Sequence, residues 1–369
     1  MSSITARRLG VSVLAAGIAL TAAAGCGSSK KNTGGGGGGS SSAATGSAAG
    51  SFAQALANVT AGSAETVTLR VGATADQIKA FAAATGATAK DMPTDKDLAL
   101  ITGASLTLTT KAESGDLKTS ATTGKTDTDV AINVGGGAVL DIRYLGGSKQ
   151  IFVKVDVPKL ATLAGKTIPP QISQLGASPQ YSFLKDALEG KWLELQGFAA
   201  LEQQFGALAG AAASASASAG PKEDVAAKLL AALGADVTAT DQGSTDKGEH
   251  LVLSAPLQKL AADLQTIVGS VPGGSLVGSK LSGLSKVPDK TVAIDAYVKD
   301  NKLVSLSVDV VQFAPADKAA KVAGQHLPIE LDFADTAGDI SAPSGATPVD
   351  LSKLAQQFGP LLAGQLGGG

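Results

Sequence analysis

The stretch Lys290 to Phe313, "KTVAIDAYVKDNKLVSLSVDVVQF", leaves this chain little freedom. Val292, Ile294, Ala296 and Val298 alternate with polar neighbours. Asp300-Asn301 supplies a tight turn, and Val304, Leu306, Val308 and Val310 alternate on the return. A period of two bounded by a two-residue polar turn predicts a β-hairpin with one buried face. The same pattern recurs. "AETVTLRVG" places Val67, Leu69 and Val71 on one side. "TDVAINVGGGAVLDIRYLGGSKQIFVKVDVPKL" reads as three strands joined by Gly-rich turns, with Ile151, Val153, Val155 and Val157 on one face and Phe152, Lys154 and Asp156 on the other. "ASLTLTTKAESGDLKTSATTG" reads as a hairpin turning at Ser114-Gly115-Asp116, and "ADVTATDQGSTDKGEHLVLSAP" as another. "HLPIELDFAD" adds a strand with Ile329, Leu331 and Phe333 inward.

Helical periods fall in blocks between these strands. "TADQIKAFAAATG" has Thr74 as N-cap and Gly86 past its end; "SPQYSFLKDALEGKW" has Ser178 as cap and Gly190 as stop. "GFAALEQQFGALAG", Pro221 to Leu233 and "SAPLQKLAADLQTIVG" are further helices, and Ala211–Gly220 is a low-complexity loop. Short connections imply antiparallel pairing. Helices in blocks rather than one per strand imply α+β: a curved antiparallel half-barrel sheet with helices on its concave face. Each half of the chain gives strands, a helix, then strands.

Upstream of Ser51 nothing can build a core. Met1–Gly10 carries Arg7 and Arg8 and no acid, and Val11–Ala24 is apolar or small. That is a secretory leader, residues 1–25, too short for a confident membrane span. It ends in Ala23-Ala24-Gly25 before Cys26, the only cysteine of 369 residues. The arrangement resembles a bacterial lipobox, with Ala23 where leucine is usual and Leu20 further up. The resemblance makes Cys26 the acylated N-terminus of the mature protein. The Arg pair also permits twin-arginine export, which Leu9-Gly10-Val11 fits poorly. Residues 26–50 are nearly all Gly, Ser, Ala and Thr, with Lys30 and Lys31 near the anchor. Such a coil spans about 25–30 Å and holds the domain, residues 51–369 with a flexible tail at 360–369, near the bilayer.

Charge and chemistry exclude more than they suggest. The formal net charge is −2 and becomes more negative when Arg7 and Arg8 leave, so no nucleic-acid partner is expected. His250 and His326 are the only histidines, and neither has ligands at metal spacing. No serine sits in a G-x-S-x-G elbow. "GGGGGG" and "GGG" do not open a helix with Lys-Ser/Thr, so no phosphate loop is present. Glu330 and Asp332 read as the solvated side of a strand. No enzyme activity, cofactor or metal is expected.

"IRYLGGSKQIFVKVDVPKLATLAG", "LEGKWLEL", "LPIELDF" and "ISAPSGATPVDLSKL" resemble segments of actinobacterial lipoproteins of the LppX/LprG class, which share a LolA-like half-barrel. The likeness runs over most of Ala64–Leu354. It implies a space between sheet and helices that can hold acyl chains; Phe152, Trp192, Val292, Ile294, Leu306 and Val308 are the candidate lining of such a space, and Trp192 otherwise belongs to the core. It implies a lipid-anchored protein at the extracytoplasmic face of the cell membrane that carries a hydrophobic ligand. The alternative is a solidly packed interaction module of the envelope.

Overall fold

The computed structural model describes residues 48–176, 178, 181–197, 237–259, 262, 290–314 and 316–353. The leader, Cys26, most of the Gly/Ser tract, the helices read beyond Gly197 and beyond Lys259, the Ala-Ser loop and the tail lie outside them. The architecture is α+β, with twelve strands in one open sheet ordered β12-β6-β5-β4-β3-β2-β1-β11-β10-β9-β8-β7. Strands β1 (Ala64–Val71), β2 (Ser105–Ala112), β3 (Thr126–Val134), β4 (Gly137–Leu145), β5 (Gln150–Val155) and β6 (Leu193–Gln196) form one meander. β7 (Thr238–Thr245), β8 (Gly248–Pro256), β9 (Thr291–Lys299), β10 (Lys302–Asp309) and β11 (Pro328–Ala334) form the other. They join where β1 pairs antiparallel with β11, Val67 opposite Phe333 and Leu69 opposite Leu331. Twelve twisted strands cannot stay flat, so a sheet of this width curls.

Turn chemistry explains the clearest hairpin. Asp300 and Asn301 have φ of +54° and +58°, the conformation that a two-residue turn between right-twisted strands requires. The return strand differs from simple alternation. Its register against β9 shifts between Leu303 and Ser305. That bulge puts Leu303, rather than Val304, into the core beside Val298.

Strand β12 (Thr347–Asp350) runs parallel to β6, an exception to the all-antiparallel expectation. It also forces a long crossing. From β11 to β12 the chain traverses seven strand spacings, about 34 Å, with residues 335–346, whose reach is about 40 Å. The segment is therefore drawn out as a strap. Thr66 donates to the Thr336 carbonyl and Arg143 to that of Ser341, so the strap crosses the sheet on the face opposite Val67 and Ile142.

Helix α1 (Ala48–Asn58) precedes β1, and its first three residues belong to the stretch read as linker. Thr74 caps α2 (Ala75–Ala84) through a reciprocal bond with Gln77, and Gly86 has φ +90° beyond it, as the sequence predicts. α3 (Asp95–Thr102) has the same Thr94–Asp97 capping box. The hairpin read at Ser114–Asp116 is instead a strand followed by α4 (Leu117–Thr123). Asp116 accepts from the Thr119 N–H and starts a helix where no apolar alternation supports a strand. α5 (Val157–Leu163) follows Asp156, whose carboxylate accepts from the Lys159 N–H, so Val157 opens a helix rather than extending β5. α6 (Pro170–Gly176), α7 (Ser182–Leu188) and the short α8 (Ala316–Ala319) complete the described set.

Candidate functional site

Register assigns each strand residue to one of two faces. On one, Leu306 lies beside Leu331, Leu331 beside Leu69, Leu69 beside Leu106, and Leu106 beside Ile132. Val67, Leu108 and Val130 form a parallel row, extended through Ile142, Val153 and Leu193. An aliphatic surface thus runs nearly the full width of the sheet. The long apolar alternations in the sequence require this, because each strand contributes every second residue.

Two helices bound this surface. α1 covers the β8–β10 side, where Phe52 and the fully buried Ala55 pack on Leu251, Leu253, Ala296, Val298 and Leu303. α7 stands at the other end: Thr347, in register with Leu193, donates its hydroxyl to Asp186. Between them lies a cluster of Val67, Leu69, Leu106 and Leu331, joined by Val130, Ile132, Leu306, Ile329 and Phe333. Every described residue of that cluster belongs to a strand. This trough straddles the β1–β11 seam.

Of the residues singled out from the sequence, Ile294 and Leu306 pack with the cluster under α1. Val292 is buried on the same face, opposite Ala255, and Val308 pairs with Ile329. Leu306 belongs to both clusters, as does Phe333 of β11, and touches the trough directly. Phe152 and Trp192 are not brought to these four. Phe152 stands in register with Arg143 and Glu194, on the opposite face, and is buried there. The Arg143 guanidinium lies 4.7 Å from the Trp192 ring centre. Cys26 lies outside the described residues.

Sequence reasoning missed Glu65. In β1 the buried positions are Glu65, Val67 and Leu69, so an acid continues the aliphatic row. The signal was present in "AETVTLRV", where the alternation extends back one step onto a charged residue. Burial pushes the Glu65 carboxyl up to about 8. Repulsion from Asp335 adds to this, and Lys302 opposes it.

The opposite face is ionic. Arg70 pairs with both Glu330 and Asp332, so these acids are bound to a cation rather than merely solvated. Arg143 Nε donates to Asp129 at 2.8 Å, and Asp141 lies 3.9 Å away. Burial first, and Asp129 second, raise Asp141 to about 6 against the pull of Arg143. His250 bonds Asp295 at 2.8 Å and stacks on Tyr297 at 4.8 Å, while His326 bonds Asp309 at 2.9 Å. The strap and the β4–β5 turn enclose an open cleft of about 630 Å³ between Glu113, Lys125, Asp127 and Leu145 on one side and Ile340–Ala342 on the other. Its lining is mixed, with Glu113, Lys125 and Asp127 beside Leu145, Ile340 and Ala342. Among the described residues no helix is long and apolar enough to cross a membrane, and no cluster of three metal-ligating side chains occurs.

No protein-family model matches the sequence, and no curated protein matches it. Among solved structures, the chain is similar to the lipoprotein LppX of Mycobacterium tuberculosis, at 10% identity and a TM-score of 0.30, over 80% of this chain and 98% of that one. It is also similar to LprF of Mycobacterium bovis, at 11% identity and a TM-score of 0.32, over 81% and 97%.

Proposed function

We propose that this protein binds a hydrophobic, lipid-class ligand against the apolar face, without catalysing a reaction on it, while Cys26 anchors it at the extracytoplasmic face of the membrane. One observation carries the reading: the aliphatic trough between α1 and α7, whose described members are all strand residues. Each methylene moved from water onto such a surface contributes about 0.8 kcal/mol, so an acyl chain binds there without any polar contact. Native mass spectrometry of the purified full chain, released gently from membranes, tests this. Co-purifying acyl lipid that organic extraction removes is the expected result.

A second reading has its own support. Val67, Leu69, Leu106 and Leu331 are only 4–8% exposed, as in a filled core. A solidly packed envelope module would carry no extractable lipid. The chain without bound lipid, and unable to take up added monoolein, would overturn the carrier reading.

A further inference from the structure

Glu65 gives the trough a polar end. It continues the buried row of Val67 and Leu69, and its own exposure is 7%. A carboxylate in that position is costly unless a cation faces it. Thr110 stands opposite on β2. On the other side, the β1–β11 register continued by one residue brings Asp335 alongside, and Lys302 reaches the same place through its ion pair with Asp335. Lys302 is ion-paired to Asp335, and both are about half exposed. Lys302, the one cation acting on Glu65 among the described residues, is therefore held by another acid. Thr110 donates its hydroxyl to the Glu65 backbone carbonyl rather than to the carboxyl. The position thus favours the neutral acid, as the raised ionisation range of this group supports. A neutral carboxyl offers one O–H donor and a carbonyl acceptor at the end of the aliphatic row.

Building on the trough as ligand site, we propose that Glu65 is its specificity-determining residue. It donates a hydrogen bond to an uncharged ester or hydroxyl oxygen of an amphiphile whose chain lies along Val67 and Leu69. A free carboxylate is rejected there, because it would bring a charge beside Glu65 and Asp335. Hydrocarbon alone leaves the acid without a partner.

The test uses the delipidated full chain and three probes of equal chain length: monoolein, oleate and octadecene. Monoolein is expected to bind at least about 10-fold more tightly than oleate, the factor a hydrogen bond or a like-charge contact supplies. Glu65→Gln keeps a donor and is expected to stay within about threefold of wild type for monoolein. Glu65→Leu is expected to lose about 10-fold for monoolein while octadecene binding holds or improves. Equal affinity of the wild type for oleate and monoolein overturns the assignment, and needs no variant to fold. An unchanged preference in Glu65→Leu overturns it too. Wild type binding none of the three probes overturns the trough reading itself.

Discussion

Glu65 makes stability fall with pH where most acids make it rise. In the unfolded chain the group ionises near 4.5; in the fold it does so near 8. Between those values the folded protein holds more protons, so raising the pH favours unfolding. The shift corresponds to about 2–4 kcal/mol, allowing for water at the strand end. Glu65→Gln removes the ionisation and keeps the shape. We expect the variant to match wild type within about 0.5 kcal/mol at pH 4.5 and to exceed its stability by about 2 kcal/mol at pH 9. Urea unfolding at the two pH values measures both. Parallel behaviour of the two proteins would mean that the carboxyl is solvated in the fold. The opposite face shows the same effect more weakly: Asp141, raised to about 6 by burial and Asp129, opposes folding between its ordinary range and that value.

At the scale of elements, much of the face assignment was legible. Ile329, Leu331 and Phe333, or Val292 to Val298, follow from period two alone, and the Asp300-Asn301 turn from its residue types. What failed did so for physical reasons. A bulge inverts parity after Leu303, and no local pattern announces it. The Ser114–Asp116 turn was seen, but Asp116 caps a helix there instead of reversing a strand. α1 begins in a Gly/Ala sequence continuous with the stretch read as linker, and tertiary packing of Phe52 and Ala55 supports it as a helix. Phe152 was grouped with the trough residues, although strand alternation alone sets it on the other face. The α1 contact is testable. Phe52→Ala is expected to cost about 3–4 kcal/mol and to lower Tm by roughly 6–12 °C. Phe81→Ala in α2, a helix with no buried residue, serves as the control and should cost under about 1 kcal/mol. Equal losses in the two variants would show that α1 is not a core element.

For the molecule as a whole, the seam between the two meanders decides the behaviour. β1, β2 and β3 come from the first, β10 and β11 from the second, and the trough cluster takes residues from all five. Three links among the described residues bind the halves: the β1–β11 ladder, the strap that leaves β11, crosses the first meander and pairs as β12 with its last strand, and α1, which precedes β1 and packs on β8–β10. A ligand lying in the trough therefore touches both halves at once, and it has no site on either half alone or on the unfolded chain. Such a ligand stabilises by mass action, adding about 2.7 kcal/mol at a hundredfold excess over Kd. For a domain of this size that is a rise of about 5 °C or more in Tm. Calorimetry of the delipidated chain, with and without monoolein at increasing concentration, should show this as one transition moving upward and sharpening as the halves become coupled. An interior already filled by its own side chains gives a Tm independent of monoolein. Uptake of monoolein with a shift confined to one of two resolved transitions would place the ligand on a single meander and away from the seam.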